Sequence, residues 1–322
     1  MVNCKVSVCI PTYNRVELLK IAIQSIFDQT YQDWELIVCD DGSSDGTSDY
    51  MDQITNSKIH YIRHVHNIGK SNNMRSGFDV ANGEYFIKLD DDDRFTSNFL
   101  EQTVDILNNH PEVDFVGTDH WIIDIKNNRN ITESQLCSEK WGRTNLSEGE
   151  VENLLEVVFI NGSFYIGCTL FRQKSLQDVG YMRSNMQNCE DSDLFVRLAL
   201  AKKIGFYLPK RLMEYRFHSE QQGVDRAIPF LKDMITYLES YNFQTDELEK
   251  VRKFRLYKNR LDLGILLIQI GETKDGRNLI LEGKSASYPK AIFGLFLTLF
   301  NLSFRRKVFG FLMNIKKQNS HY

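Results

Sequence analysis

The sequence lacks any apolar run that approaches the roughly twenty residues of a membrane-spanning helix. Its six cysteines form no Cys-x-x-Cys pair, so free thiols in a reducing compartment are the simplest interpretation. The first fifteen residues lack the charged start, apolar stretch and cleavage site of a secretory signal, and they are typical of a first strand. These absences predict a cytoplasmic protein.

The chain also has no large excess of charge of either sign. Its formal net charge is −4, and 25% of its residues are charged, as in ordinary soluble proteins. Nucleic acid is therefore not expected as a partner, because its recognition relies on a strongly basic surface. A length of 322 residues predicts one large domain, 1–225, and a smaller helical unit, 226–322.

Strands and helices alternate in the first half of the sequence. Apolar runs rich in β-branched residues alternate with segments of helical spacing. This order predicts an α/β fold with a mostly parallel sheet and helices on both faces. The predicted strands are Val6–Ile10, Trp34–Cys39, Ile59–Arg63, a run ending at Leu89, and Phe115–Asp119; the predicted helices begin near Val16, Thr47 and Lys70.

Polar residues accumulate where these strands end. Residues 11–15 follow the first strand, Asp40 and Asp41 follow the second, and the four aspartates 90–93 follow the fourth. Ligands of such sheets bind in the crevice beyond the carboxyl ends of the strands. A nucleoside diphosphate with a divalent cation would use all three groups.

The four consecutive aspartates allow two interpretations. One is a solvated acidic turn. The other is a cation site, because adjacent carboxylates repel one another unless a cation or strong donors stabilise them. Carboxylate oxygens suit Mg²⁺ or Mn²⁺, and Mg²⁺ is usually held by one or two carboxylates together with substrate phosphates. The neighbouring polar strand ends favour the cation.

Five segments along the chain resemble the motifs of family 2 glycosyltransferases, which have the GT-A fold and use nucleoside-diphosphate sugars. In order, they are VSVCIPTYNR, ELIVCDDGSSDGT, NIGKSNN, ANGEYFIKLDDDDRF and NCEDSDLFVRLA. They extend over about two thirds of the chain. The resemblance implies a Rossmann-like GT-A catalytic domain over 1–225, with the nucleotide-sugar side in 1–95 and the acceptor side in 96–225.

The resemblance implies a base pocket at the first two strand ends. Pro11 and Tyr13 would line it, with Arg15 as a further contact of the donor. Asp41 would accept a hydrogen bond from a ring N–H of the base, with Asp40 beside it. A carboxylate opposite an imide N–H suits uracil, so UDP is the expected nucleotide, although guanine also offers donors. For Asp40 and Asp41, capping of the next helix is the alternative.

The Asp-x-Asp element of the family maps onto the aspartate block. Asp90 would face the ribose or a metal-bound water, Asp92 would bind Mg²⁺ or Mn²⁺, and Asp91 occupies the variable position of the motif. Asp93 is expected to cap the helix that follows. The cation would neutralise the diphosphate leaving group.

One motif departs from the family pattern. Many members carry an arginine in an Ala-Arg-Asn-x-Gly segment, whereas this chain has Met74 at that position. The role of the family's arginine therefore does not carry over to Met74. Lys70 or Arg75 is expected to approach the diphosphate instead.

Glu190 and Asp191 open an amphipathic helix that resembles the family's catalytic acid element. Asp191 would be the general base that deprotonates the acceptor hydroxyl, with Glu190 beside it. A single displacement of this kind inverts the anomeric carbon and needs no covalent nucleophile. The alternative is that the two acids only cap the helix and interact with its dipole.

Two features after this helix complete the predicted catalytic domain. His218 resembles a residue that ligates the metal or touches the phosphates, and a structural role is equally open. Residues 219–225 would close over the donor and exclude water. No Gln-x-x-Arg-Trp motif follows Asp191, which favours addition of one sugar per encounter over processive synthesis. The polar stretch 126–150 is expected to be a loop or insertion near the site.

The last third of the sequence predicts helices with a single tetratricopeptide-like unit around Gly264, Gly271 and Gly276. The segment Tyr288–Lys317 combines phenylalanines with lysines and arginines. Two interpretations are open: an interfacial helix on an anionic membrane, or a helix that packs on the catalytic domain. Peripheral attachment to the inner face of the plasma membrane would suit a lipid-linked glycan acceptor in bacterial surface-polysaccharide assembly.

Two other functions are alternatives to the transfer of a hexosyl or N-acetylhexosaminyl group. A sugar-nucleotide nucleotidyltransferase would begin with a glycine-rich phosphate loop, but residues 6–15 contain no glycine. A non-catalytic nucleotide- or glycan-binding module of the same fold would be expected to lose Asp92 and Asp191. An inverting glycosyltransferase is therefore the preferred interpretation.

Overall fold

The structure, a computed structural model, describes residues 4–184, 186–217, 224–305 and 307–308. The chain forms two compact units, Met1–Ser219 and Glu220–Tyr322. That the first unit carries the catalytic site, and that a domain boundary follows residue 225, stay predictions.

The first unit alternates strands with helices, as the hydrophobic runs predict. In chain order it contains β1 (Val6–Thr12), α1 (Val16–Phe27), β2 (Trp34–Asp40), α2 (Thr47–Asp52), β3 (Ile59–Arg63), α3 (Lys70–Val80), β4 (Tyr85–Lys88), β5 (Arg94–Phe95), α4 (Phe99–Asn109), β6 (Phe115–Ile123), β7 (Arg129–Asn130), α5 (Ile131–Lys140), β8 (Gly149–Glu150), α6 (Leu154–Glu156), β9 (Thr169–Arg172), α7 (Gln173–Val179), α8 (Glu190–Leu200) and β10 (Gly205–Arg216). The five predicted strands are present: β3 has the predicted bounds, and the other four end one to four residues from the predicted end.

The strands form one mixed sheet in the order β3-β2-β1-β4-β9-β6-β10-β5, and β7 and β8 pair with β6 and β10. β1 lies between β2 and β4 and is parallel to both, and β3 is parallel to β2. β9 is antiparallel to its two neighbours, whereas β10 is parallel to β6. The first four strands therefore end at the same edge of the sheet, where the polar residues after β1, β2 and β4 meet.

Both faces of β1 are buried, as expected for a parallel strand covered by helices on each side. Val6 and Ile10 belong to the large apolar core on one face. On the other face α3 packs closely over the strands, because a Cβ at Gly77 would lie 2.5 Å from Cys9 Sγ and 2.7 Å from Cys39 Sγ. Only glycine allows this approach without a shift of the neighbouring atoms.

The expectation of a loop over 126–150 is wrong, because α5 occupies much of this stretch. The Asn130 side chain caps α5 by accepting the Glu133 backbone N–H at 3.0 Å. The face that α5 buries carries Ser134 and Ser138, whose hydroxyls donate to backbone carbonyls one turn earlier. A helix that buries serines has no apolar periodicity, which is why the pattern of hydrophobic residues did not predict it.

The second unit is helical, as predicted. It contains α9 (Val224–Glu239), α10 (Asp246–Ile270), α11 (Thr273–Gly283) and α12 (Tyr288–Leu297). α10 ends at Gly271, whose φ of 108° lies in the left-handed region that favours glycine. α10 and α11 approach closely at two more glycines, since a Cβ at Gly264 would lie 2.7 Å from the carbonyl oxygen of Gly276.

α12 has one buried and one exposed side. Ala291 and Leu297 pack into the apolar core of the second unit. Tyr288, Ile292 and Phe296, one turn apart, are 61%, 68% and 51% exposed. No helix within the described ranges has both the length and the apolar composition needed to cross a bilayer. Of the predicted segment Tyr288–Lys317, residue 306 and residues beyond 308 lie outside the described residues.

Candidate active site

The loops that follow β1 and β2 are tied together by side-chain hydrogen bonds. The Asn14 backbone N–H donates to Ser43 Oγ at 2.9 Å, and Asn14 Oδ1 accepts the Ser44 N–H at 2.8 Å. The Val16 N–H donates to Asp45 Oδ2 at 2.8 Å, next to the start of α1. Asn14 has a φ of 53°, a left-handed conformation that asparagine tolerates well. One edge of the crevice is therefore held in a defined shape.

Asp40 is fully buried and has a structural role. Its Oδ1 accepts the Ser43 backbone N–H at 2.8 Å, and its Oδ2 accepts the Tyr61 hydroxyl at 2.6 Å. Asp40 thus closes the turn after β2 instead of capping a helix, and its place beside the base stays a prediction. α2 begins at Thr47, whose backbone N–H and hydroxyl both donate to Asp45 Oδ1.

Asp41 joins the loop after β2 to the loop before α3. Its Oδ1 accepts the Ile68 N–H at 2.7 Å and its Oδ2 accepts the Gly69 N–H at 3.1 Å. Asp41 therefore does not cap α2. Each oxygen of a carboxylate has a second lone pair, so recognition of a base N–H by Asp41 stays a prediction.

Asp90 is held by partners of opposite charge. Lys88, whose side chain is only 2% exposed, forms an ion pair with Asp90 Oδ2, and the Tyr165 hydroxyl donates to the same oxygen at 2.8 Å. Burial alone would raise the pKa of Asp90, but the charges of Lys88 and Lys70 outweigh burial and hold that pKa well below its usual range. Asp90 is therefore an ionised carboxylate beneath the site.

Asp91 and Asp92 share one cationic partner, Arg15. Arg15 Nη1 lies 2.9 Å from Asp92 Oδ2 and 3.3 Å from Asp91 Oδ1. Thr12 Oγ1 donates to the other oxygen of Asp91 at 2.8 Å. Burial, together with the charge of Asp92, raises the pKa of Asp91 to about 7 despite the opposing effect of Arg15. The two carboxylates are thus close enough to repel each other, and a cation stabilises both.

The prediction that Asp93 caps the following helix is wrong. α4 begins only at Phe99, and Asp93 is buried with its Oδ1 accepting the Arg216 backbone N–H at 2.8 Å. Its Oδ2 lies 3.3 Å from the Tyr165 hydroxyl. Asp93 therefore anchors the aspartate block to β10 and to the segment before β9.

Burial and the neighbouring carboxylates also change the ionisation of Asp93. Burial first, and then the charges of Asp92 and Asp90, raise the pKa of Asp93 well above its usual range. Arg216 Nε donates to the backbone carbonyl of Asp92 at 2.8 Å, so Arg216 holds the backbone of the turn. The pKa values of Asp90 and Asp93 are thus shifted in opposite directions, although only two residues separate them.

Lys70 connects the donor side to the helix that carries the predicted base. Lys70 Nζ lies 2.7 Å from Glu190 Oε1, and it also interacts electrostatically with Asp90 and Asp191. Glu190 is buried; burial and the charge of Asp191 raise its pKa, against the effect of Lys70. The first turn of α8 therefore lies beside the end of β4.

Of the three acids in the first turn of α8, Asp191 is the one with solvent access. Asp193 is fully buried between Arg197 Nε at 2.7 Å and Arg183 Nε at 3.1 Å, and Glu190 is paired with Lys70. Asp191 is half-buried, and its Oδ1 accepts the Ser192 backbone N–H at 2.7 Å. This arrangement leaves Asp191 available to a ligand.

The remaining predicted site residues have different environments. Pro11 is buried within β1, and Tyr13, 46% exposed, follows it at the edge of the crevice. Arg75 Nη1 donates to the carbonyl oxygens of Gly180 and Met182, at 3.3 Å and 2.6 Å, and so holds the segment after α7. Contact of Arg75 with a diphosphate stays a prediction. His218 and residues 219–223 lie outside the described residues.

Four residues of the site were not singled out from the sequence: Thr12, Lys88, Tyr165 and Arg216. Lys88 has a recognisable signal, because a lysine inside an apolar strand directly before four aspartates is an unusual neighbour. Tyr165 and Arg216 have no local signal, since they contact the aspartates from 75 and 124 positions away along the chain.

The donor set suits a hard divalent cation that binds together with a phosphate ligand. Within the part of the chain that the structure describes, no group of three or more His, Cys, Asp or Glu side chains is arranged to hold a metal ion. Asp91 and Asp92 nevertheless present two mutually repelling carboxylates at one point. Mg²⁺ is commonly held by one or two carboxylates and substrate phosphates, so this pair fits it.

Sequence comparison gives a family match and partial relatives. The model of the family described as "Glycosyl transferase family 2" matches residues 7–180. The UDP-Glc:alpha-D-GlcNAc-diphosphoundecaprenol beta-1,3-glucosyltransferase WfgD of Escherichia coli is 32% identical over 102 residues, which cover 32% of this chain and 40% of that protein. The chain spans between 32% and 68% of the length of four curated relatives that it matches.

Solved structures resemble the fold over nearly the whole chain. S. aureus TarS 1-349 in complex with UDP-GlcNAc has a TM-score of 0.65 at 16% identity, covering 95% of this chain and 91% of that one. The mannosyltransferase PcManGT from Pyrobaculum calidifontis, in complex with GDP-Man and Mn²⁺, has a TM-score of 0.58 at 16% identity. The match covers 98% of this chain and 86% of that one. At such identities the likeness shows the fold alone, and it confirms the predicted GT-A fold with a helical C-terminal region.

Proposed function

The chain belongs to glycosyl transferase family 2, and we propose that it transfers a sugar from a nucleoside-diphosphate sugar, a UDP-sugar by preference, to an acceptor hydroxyl with inversion at the anomeric carbon. The observation that carries this proposal is the Lys70–Glu190 ion pair, 2.7 Å long, because it brings the helix of Asp191 to the strand end that bears the aspartate block. In this proposal, the residues that stabilise the leaving group and the residue that activates the acceptor lie on two sides of one crevice.

On the donor side, the chain offers carboxylates and cations in neighbouring positions. Asp91 and Asp92 would hold Mg²⁺ or Mn²⁺, which when bound supplies positive charge against the diphosphate. Arg15 contacts both carboxylates and Lys70 interacts electrostatically with the neighbouring Asp90, and a diphosphate is a suitable partner for both cations. Asp90 is engaged by Lys88 and Tyr165, so its proposed role is to position the turn from below.

The base pocket is proposed at the ends of β1 and β2. Tyr13 presents an exposed ring on which a nucleobase would stack, and Asp41 retains lone pairs for a ring N–H of uracil. That TarS was solved with UDP-GlcNAc is in keeping with a uridine nucleotide, whereas PcManGT was solved with GDP-Man. The preference for UDP over other nucleoside diphosphates is therefore tested by comparing how strongly each one stabilises the protein.

On the acceptor side, we assign the general base to Asp191. It would accept the proton of the acceptor hydroxyl while that oxygen bonds to the anomeric carbon, and the diphosphate would leave from the opposite face. Glu190 is a positioning residue in this scheme, because it is buried and paired with Lys70. No covalent sugar–protein bond forms.

The test of this assignment is Asp191→Asn, with Asp105→Asn on the exposed side of α4 as the matched control. The measured quantities are kcat for UDP release from UDP-glucose and UDP-GlcNAc in the presence of a diphosphoundecaprenol-linked sugar, and the Kd for UDP. We expect Asp191→Asn to lower kcat by about 10²- to 10⁴-fold with an unchanged Kd. A variant with full transfer activity would remove the base assignment, and UDP binding without any UDP release by the wild type would indicate a non-catalytic binding module.

We further propose a lipid-linked glycan acceptor in bacterial surface-polysaccharide assembly, with peripheral attachment to the inner face of the membrane. The name of the partial relative WfgD refers to a diphosphoundecaprenol acceptor. From Gly283 to Tyr322 the sequence contains seven Lys or Arg and no Asp or Glu, although the whole chain has a net charge of −4. Such a segment is attracted to anionic lipids, and the exposed Tyr288, Ile292 and Phe296 would enter the interface.

Membrane attachment is tested by replacing this exposed side of α12. The variant Tyr288→Ser/Ile292→Ser/Phe296→Ser removes apolar area without touching the buried side of the helix. We expect it to lose sedimentation with phosphatidylglycerol-containing vesicles, while Val65→Ser, at a 99% exposed position of the first unit, behaves like the wild type. Equal sedimentation of all three proteins would exclude α12 as the membrane contact.

A further inference from the structure

We propose that Arg15 takes the place of a divalent cation between Asp91 and Asp92 when no nucleotide is bound, and that it yields this place only when a nucleoside diphosphate enters with the metal. The inference rests on the proposed function, since it assumes a metal–diphosphate ligand. It assigns to Arg15 a regulatory contact that couples the two binding events.

The geometry of Arg15 is that of a bridging cation. A single nitrogen, Nη1, lies within hydrogen-bond distance of one oxygen of each carboxylate, at 2.9 Å from Asp92 and 3.3 Å from Asp91. Thr12 Oγ1 donates to the second oxygen of Asp91, so Thr12 and Arg15 together engage both oxygens of this carboxylate. Arg15 therefore covers the oxygens that a metal would need.

The side chain of Arg15 is more exposed than the carboxylates that it contacts, and its main chain is fixed. Its backbone precedes α1 in the loop that Asn14 ties to Ser43 and Ser44, so the main chain is fixed. Its side chain is 30% exposed, whereas those of Asp91 and Asp92 are 8% and 11% exposed. The guanidinium can thus rotate outward while the carboxylates stay in position.

Charge determines when Arg15 leaves. A guanidinium does not lose its proton in a protein, so a metal that arrives alone meets a fixed positive charge and must break two charge-assisted hydrogen bonds. A diphosphate that arrives with the metal compensates for both effects, because its oxygens offer Arg15 a new bidentate partner and add negative charge next to the cation. Metal and nucleotide should therefore each increase the affinity for the other.

The test measures Mn²⁺ binding directly, without a transfer assay. Free Mn²⁺ is quantified by electron paramagnetic resonance during titration of the full-length wild type, Arg15→Gln and Arg15→Lys, each with and without UDP. Lys20→Gln, on the surface of the helix that begins directly after Arg15, is the matched control, and Asp92→Asn defines the signal without the site.

We expect the wild type to bind Mn²⁺ weakly alone and at least tenfold more tightly with UDP, a change equivalent to about 1.4 kcal/mol. Arg15→Gln should bind Mn²⁺ alone at least about tenfold more tightly than the wild type, with a smaller additional gain from UDP. Arg15→Lys retains a charge and should lie closer to the wild type. Lys20→Gln should equal the wild type.

Two results would overturn the inference, and they are distinguishable. If Arg15→Gln, with an unchanged melting temperature, binds Mn²⁺ alone no more tightly than the wild type does, Arg15 does not compete with the metal, although the proposed function is untouched. If the wild type binds neither UDP nor Mn²⁺ in any combination, the proposed donor site fails as well. Should Arg15→Gln not fold, a folded Arg15→Met takes its place: tighter Mn²⁺ binding than the wild type without UDP would support competition, and wild-type behaviour would contradict it.

Discussion

The hydroxyl of Tyr165 donates a 2.8 Å hydrogen bond to Asp90, a residue 75 positions earlier in the chain. The same hydroxyl lies 3.3 Å from Asp93, so one side chain contacts both ends of the aspartate block. The pKa of Asp90 is lowered and that of Asp93 is raised. The Tyr165 hydroxyl therefore contacts one carboxyl group that favours the ionised form and one that favours the protonated form. The shape of the predicted cation site therefore depends on a residue from the other half of the first unit.

Replacement of this tyrosine tests its role as a positioning residue. In Tyr165→Phe the ring stays, but Asp90 loses the hydrogen bond from the tyrosine hydroxyl. A hydrogen bond to a charged group is worth about 1.5–3 kcal/mol. We expect kcat/KM to fall by roughly ten- to hundredfold, with a higher Mn²⁺ concentration needed for half-maximal activity. The steady-state Mn²⁺ dependence measures this effect.

A merely structural role of Tyr165 would give a different pattern. The melting temperature would fall, but the Mn²⁺ dependence would stay that of the wild type. Tyr50→Phe, on α2, controls for the loss of a hydroxyl elsewhere in the unit.

The Lys70–Glu190 ion pair has a close counterpart on the surface. Lys20 lies 2.6 Å from Glu17, with side chains 40% and 78% exposed, whereas Lys70 is 46% exposed and Glu190 only 5%. Loss of Lys70 leaves a buried carboxylate without its cation, so we expect Lys70→Met to lower the free energy of unfolding by about 1–2 kcal/mol, after allowance for solvent around Lys70.

Lys20→Met should change the free energy of unfolding by less than about 0.5 kcal/mol, as is typical of exposed ion pairs. Urea unfolding of both variants gives the comparison. Since Glu190→Gln removes the unpaired charge, it should restore part of the stability when added to Lys70→Met. Equal losses for Lys70→Met and Lys20→Met would show that Glu190 does not depend on Lys70.

The free energy of unfolding should depend on pH through Asp91. Burial and Asp92 raise the pKa of Asp91 from 3.8 to about 7 in the folded protein. Between these values the folded protein holds a proton that the unfolded chain has released, so stability falls as the pH rises from about 4 to about 7. The contribution of Asp91 to this fall is roughly 4 kcal/mol.

Urea unfolding in the presence of EDTA, at about pH 4.5 and about pH 7.5, measures this dependence. Asp91→Asn should lose less stability than the wild type between the two conditions, because asparagine does not titrate. Asp93 contributes equally to both proteins and cancels in the comparison. Identical losses in the two proteins would mean that Asp91 titrates near its ordinary pKa.

Gly77 tests the packing that places the strand ends. A methyl group there would lie 2.5 Å from Cys9 Sγ and 2.7 Å from Cys39 Sγ, so we expect Gly77→Ala to lower the free energy of unfolding by about 1–3 kcal/mol. In a Cys9→Ala/Cys39→Ala background, Gly77→Ala should lower the free energy of unfolding by clearly less. Thermal unfolding of the four proteins in this cycle is the measurement, and an equal cost in both backgrounds would rule out the sulfur contacts as the cause.

The sequence predicted the elements whose signals are local. The first strands are visible in the sequence as apolar runs, and the residues directly after them are polar. Both the sheet and the edge at which these polar residues meet could therefore be inferred. The helix over 131–140 escaped prediction because its buried face consists of serines that donate hydrogen bonds. Tertiary hydrogen bonding, not hydrophobic periodicity, stabilises that helix.

Within the site, residue types were predictable but their partners were not. Asp93 was expected to cap a helix, yet it binds the backbone of Arg216 on β10. Neighbouring aspartates look equivalent in a sequence, and only the fold decides that Asp90 forms the ion pair with Lys88, that Asp91 and Asp92 contact Arg15, and that Asp93 accepts a backbone N–H. The distinction between Asp191 and its neighbours in α8 likewise depends on Lys70 and Arg183, which lie outside this helix, and on Arg197, one turn further along it.

The most direct test of the sugar-transfer proposal is nucleotide binding at the aspartate block. The melting temperature is measured with UDP, GDP, dTDP and CDP, each with and without Mn²⁺, for the wild type and for Asp92→Ala. At a ligand concentration of about 100 Kd, binding to the folded state adds about 2.7 kcal/mol of stability. We predict that UDP with Mn²⁺ stabilises the wild type, that neither does so fully alone, and that Asp92→Ala loses the effect. If none of the nucleotides changes the melting temperature of the wild type in any condition, the crevice is not a nucleoside-diphosphate site and the account is contradicted.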